Sequence, residues 1–98
     1  MTTAPDFEII NNADAKRFEA HIGDQMAFVE YIPSQYRMIY THTEVPVSLE
    51  GQGIGNRLAE HVMRYAQEQG LKVNPMCPFI KMYVSKHPEY HSITMGFH

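Results

Sequence analysis

The sequence has no tryptophan and a single cysteine, Cys77, among its 98 residues. One cysteine excludes an internal disulfide and suits a reducing compartment. No apolar run approaches the roughly 20 residues that a membrane span needs. The opening stretch MTTAPDFEIINNADA is neither basic nor apolar, so no secretory leader is expected and a cytoplasmic location is. Clustered positive charge is missing too. Eight Lys and Arg against eleven Asp and Glu leave a net charge of −3, which argues against binding nucleic acid by neutralising its phosphates. The histidines His21, His61, His87, His91 and His98 show no metal-ligand spacing, and Pro88 interrupts any helix that would align His87 with His91. No metal is expected. Repeats, linkers and low-complexity segments are absent as well, so residues 1–98 read as one domain with a modest core.

Four strand-like segments fill the first half. Phe7 to Ile10 is a short one, followed by an Asn-Asn-Ala-Asp turn. Arg17 to Ile22 alternates Phe18, Ala20 and Ile22 with Arg17, Glu19 and His21, the period of a half-buried strand. Gly23-Asp24 marks a tight turn, and Gln25 to Ile32 pairs back as a hairpin. Arg37 to Val45 is a further strand. Simple alternation puts Ile39, Thr41, Thr43 and Val45 on one face and Met38, Tyr40, His42 and Glu44 on the other. Pro46 ends it.

The second half opens on glycines. Gly51, Gly53 and Gly55 precede a helical pattern in which Ile54, Leu58, Val62, Tyr65 and Ala66 share a face, and Gly70 is placed to stop it. Leu71 to Met76 reads as a strand. Cys77-Pro78 opens a second helix with Phe79, Ile80, Tyr83 and Val84 as its apolar stripe, closed by Pro88, with a weaker tail from Glu89. Met82 and Tyr83 read as core.

A strand, a glycine loop and a helix N-terminus form an anion site when backbone N–H groups converge and the helix dipole favours negative charge. The alternative is a turn that needs positive φ. A P-loop is excluded because Asn56-Arg57, not Lys-Ser/Thr, follows Gly55. A dinucleotide fingerprint is excluded because the third glycine comes one residue early.

The loop fits another pattern, Gln/Arg-x-x-Gly-x-Gly/Ala, the pyrophosphate loop of the GNAT acyltransferases. Residues 50–55, EGQGIG, match both glycines and carry Glu50 where Gln or Arg is usual. With HTEVP at 42–46 and NPMCPFIKMYVSKHPEY at 74–90, the chain closely resembles the small single-domain GNAT-like N-acetyltransferases. The resemblance implies an α+β fold, a minimal GNAT domain with a mixed, mostly antiparallel sheet and two main helices. It implies acetyl-CoA as acyl donor and an amine acceptor, from a small molecule or a protein. Val45 would line the pantetheine path, and the backbone N–H groups of Gln52, Gly53, Ile54, Gly55 and Asn56 would cradle the pyrophosphate.

It also places Cys77 near the end of the coenzyme. Two mechanisms then stand open: Cys77 as a nucleophile with His42 as its base, or direct attack by the amine with His42 or Glu44 taking its proton. A third reading makes Cys77 a small buried residue at a helix start. The rival functions are a non-catalytic coenzyme A-binding protein and a pure interaction domain. So short a chain leaves little room for an acceptor pocket, and a monomer or a homodimer completing the site are both compatible with it.

Overall fold

A computed structural model describes residues 7–97. His98 and the first six residues of the stretch read for a leader lie outside that range. Five strands form one sheet in chain order: β1 (Ile9–Asn12), β2 (Arg17–Ile22), β3 (Gln25–Pro33), β4 (Arg37–Glu44) and β5 (Lys72–Pro75). The first four are antiparallel neighbours, and β5 joins β4 in parallel. A parallel pair needs a crossover long enough to return the chain, and helix α1 (Ile54–Glu68) supplies it. Helix α2 (Pro78–Ser85) and a 3-10 helical segment at Pro88–Ile93 follow. The α+β fold expected above, with its mostly antiparallel mixed sheet and two main helices, is the one observed.

Local chemistry accounts for most boundaries. Gly23, at φ 62°, forms with Asp24 the two-residue turn between the paired residues Ile22 and Gln25. Helix α1 ends in a Schellman arrangement: the N–H of Leu71 donates to the Ala66 carbonyl, the N–H of Gly70 to that of Gln67, and Gly70 takes φ 70°. Pro78 occupies the first turn of α2, where a missing N–H costs nothing.

The core lies between α1, α2 and one face of the sheet. Phe18 of β2 meets Tyr31 at 5.2 Å and Tyr65 of α1 at 5.1 Å between ring centroids. The buried Tyr40 hydroxyl donates to the Val62 carbonyl of α1 at 2.6 Å. Ile54, Leu58, Val62 and Ala66 of α1 are buried as the helical period predicts, joined by Ala59 and Met63.

The face assignment on β4 requires correction. Tyr31 pairs with Tyr40, but the preceding Glu30 pairs with His42, so Thr41 is an extra residue in β4. A bulge of this kind breaks the alternation. Cross-strand partners share a face, so Thr43, opposite the buried Val29, joins Tyr40 on the helix side. His42, opposite Glu30, and Glu44, opposite Phe28, stay together but turn to the other face. Smaller corrections follow. Asn11 and Asn12 belong to β1, pairing with Phe18 and Arg17, rather than to a turn. Met82 is 61% exposed and Phe79 39%, so neither is core.

Candidate active site

Strand β4 outruns its parallel neighbour. The last β4–β5 pair is Tyr40 with Pro75, and the Cys77 N–H then donates to the Tyr40 carbonyl at 2.9 Å before the chain turns into α2. Thr41 to Glu44 therefore lack a strand partner on that side, and the sheet opens into a splay. A cleft of about 730 Å³ starts there, within the usual range for small-molecule sites. His42, Thr43, Glu44 and Val45 line it from the end of β4, Leu49 to Gly51 and Gly53 to Asn56 from the loop and the start of α1, and Phe79 from α2.

The glycines have separate causes. Gly51 and Gly53 take φ 81° and 76°, which other residues adopt only with strain, and a side chain at either would meet open space. Gly55 is helical instead, and a Cβ there would lie 2.8 Å from Cζ of Phe79. Two glycines turn the loop and the third admits an aromatic ring against the helix. Gly53 is the N-cap of α1, and no side chain caps that end. The first-turn N–H groups, from Ile54 to Asn56, have no intrahelical acceptor there, and all three residues line the cleft. No Lys or Arg lines the cleft among the described residues, while Glu44 and Glu50 both do. An anion bound there would rest on backbone N–H groups and the helix dipole.

Of the residues singled out in the sequence, His42, Glu44, Val45, Gly53, Ile54, Gly55 and Asn56 meet at this cleft. Gln52 does not line it; its side chain is exposed and donates to the Ser48 carbonyl at 3.4 Å. Cys77 does not line it either. It is 3% exposed, and its thiol donates to Oγ1 of Thr43 at 3.2 Å. Thr43, a residue that simple alternation put on the opposite face, thus stands between the cysteine and the cleft. Phe79 was also missed as a lining residue, because its helical spacing from Tyr83 looks like core.

A family model described as GCN5-related N-acetyl-transferase matches residues 17–93. The chain belongs to this family. The matched span runs from β2 through the 3-10 helical segment that ends at Ile93, and so takes in the whole cleft. Among solved structures, the solution structure of a GCN5-like protein from Staphylococcus aureus, named as a candidate N-acetyltransferase, superposes with a TM-score of 0.72. It is 26% identical, and the match covers 100% of this chain and 94% of that one. A comparison with curated proteins returns no match.

The family-specific C-terminal string has a structural task. Tyr83 stacks on His87 with ring centroids 3.8 Å apart, and Nδ1 of His87 lies 2.7 Å from the Tyr83 carbonyl. Nε2 of His91 lies 2.8 Å from the Val84 carbonyl. Two imidazoles thereby satisfy carbonyls at the end of α2, a use of His87 and His91 that their spacing did not suggest.

Proposed function

We propose that the protein transfers the acetyl group of acetyl-CoA to an amine. The observation that carries this reading is the meeting of the β4 splay, the uncapped α1 N-terminus and His42 in one cleft. The pyrophosphate rests on the N–H groups of Gly53, Ile54, Gly55 and Asn56, with Gln52 contributing only its backbone. The pantetheine runs past Val45 along the free edge of β4, where backbone groups pair with it as a strand would. Phe79 lines the cleft from α2.

The acceptor nitrogen attacks the thioester carbonyl carbon. The N–C bond forms, the C–S bond breaks, His42 accepts the amine proton, and the coenzyme leaves as a thiolate that takes a proton from water. Glu44, on the same face as His42, is the second candidate base. Direct attack is favoured over a Cys77 acyl-enzyme by burial of the thiol behind Thr43. In this reading Cys77 braces the splay from behind.

The decisive experiment is a calorimetric titration with acetyl-CoA, with ATP and NAD as controls, on the native chain and on Gly53→Val. Binding of acetyl-CoA alone, lost in the variant while circular dichroism is retained, supports the cradle. Equal affinity in the variant refutes it. Binding without acetylation of any amine in a broad panel leaves a coenzyme A-binding protein.

A further inference from the structure

Two cross-strand rows cross the sheet face opposite α1. One runs Ile10–Glu19–Phe28–Glu44 and the next Asn12–Arg17–Glu30–His42. Three carboxylates therefore share this face, and their states differ. Glu19 is 3% exposed and saturated, with bonds from Arg17, His21 and Asn12. Among the described residues no hydrogen bond or ion pair engages the carboxylate of Glu30 or of Glu44. Arg17 is the neighbour of Glu30 on β2, but its Nε is held by Glu19 and its guanidinium lies 5.3 Å from the Phe28 centroid.

The two unengaged carboxylates flank His42. Glu30 lies directly across from it, and Glu44 is two residues along β4, opposite Phe28, whose ring is 6.1 Å from the imidazole. His42 and Glu44 also line the cleft, whereas Glu30 and Phe28 stand beside them on β3, outside its lining. The bulge at Thr41 creates the arrangement, since without it His42 would face the helices.

We propose that Glu30 is a specificity-determining residue: with Glu44 it selects a protonated primary amine on an apolar stem and holds it beside His42, on the sheet face opposite α1. This rests on the reading of the cleft as an acetyl-transfer site. An alkylamine with an ordinary pKa of about 10.4 arrives as an ammonium ion. Two carboxylates attract that ion, and the half-buried Phe28 between them in the sheet offers apolar surface for its methylene stem. A neutral hydroxyl acceptor gains nothing from them. The same charges resist loss of the ammonium proton, so Glu30 acts in capture rather than in the chemical step.

The test is an amide-resonance titration of the full chain with Nα-acetyl-lysine methylamide and, in parallel, the norleucine counterpart, which keeps the stem and lacks the ammonium. The lysine probe should move the resonances of Glu30, His42 and Glu44, and the norleucine probe should not. Glu30→Gln should weaken the lysine probe about fivefold, the upper range for one accessible charge pair, with acetyl-CoA affinity unchanged. With an acylatable amine, the same variant should raise KM and leave kcat intact. Equal response to both probes, or an unchanged lysine affinity in Glu30→Gln, overturns the assignment while acetyl-CoA binding keeps the transfer reading alive. Failure of acetyl-CoA to bind removes both.

Discussion

The ring of Phe79 occupies the space that a side chain at position 55 would need, 2.8 Å from where a Cβ on Gly55 would sit. The contact ties the first turn of α1 to α2 across the cleft. Alanine at position 55 gains helix propensity of up to about 1 kcal/mol but displaces the outer end of a partly exposed ring. Gly55→Ala should therefore leave the melting temperature nearly unchanged while weakening acetyl-CoA binding, measured by calorimetry. A native affinity in that variant would remove Phe79 from the cofactor wall.

A substitution at Gly53 should cost stability as well as binding. Its backbone is left-handed at φ 76°, with open space around a would-be Cβ. The penalty is strain rather than collision, about 1 kcal/mol for an ordinary residue. Gly53→Ala should lower the melting temperature by roughly 4–8 °C in a domain of this size. Scanning calorimetry on the two alanine variants separates the roles of the two glycines.

Glu19 makes stability depend on acid. Burial pushes its carboxyl pKa up, but hydrogen bonds from Arg17, His21 and Asn12 outweigh that and hold it at about 2, against an ordinary 4.5. A carboxylate depressed in the folded state stabilises fully above its unfolded pKa and loses that contribution as pH falls through the folded one. Unfolding free energy should drop between about pH 4.5 and pH 2, and Glu19→Gln should flatten the slope there. Denaturant titrations across that window check it.

Tyr40 anchors β4 to α1 through one buried hydrogen bond to the Val62 carbonyl, 2.6 Å long. Burial pushes its hydroxyl pKa far above the ordinary value, with smaller contributions from Tyr65 and Tyr31. Tyr40→Phe should cost about 1 kcal/mol, visible in the urea midpoint. In alkaline spectrophotometric titration the variant should lose the tyrosine that ionises last.

Cys77 and Thr43 separate the two transfer mechanisms. Removing the thiol breaks its bond to Oγ1 of Thr43, the residue that lines the cleft. Under direct attack, Cys77→Ala should retain most of kcat, whereas His42→Gln should lose about 10²–10⁴-fold. Trapping a radiolabelled acetyl group on Cys77 in a quenched native reaction would overturn this order.

Much of the architecture is legible in residue order because the information is local. The alternation in β2, the positive-φ turn at Gly23, the Schellman end at Gly70 and the proline start of α2 each depend on neighbours a few residues away. The seven residues from β4, the loop and α1 that meet at the cleft were legible for the same reason, since the strand, the loop and the helix start are consecutive.

Tertiary structure alone decided which way β4 faces, and with it the chemistry. A single extra residue at Thr41 reverses every side chain after it, and only the pairing with β3 reveals it. That pairing sends Thr43 to Cys77 and turns His42 toward Glu30, contacts between residues far apart in the chain. The reason for Gly55 is of the same kind: it lies in Phe79, 24 residues later, which reaches it only once α2 has packed beside α1. The sequence alone thus determined the elements and their order, because each answers to its own neighbours. Register and approach between elements decided the site.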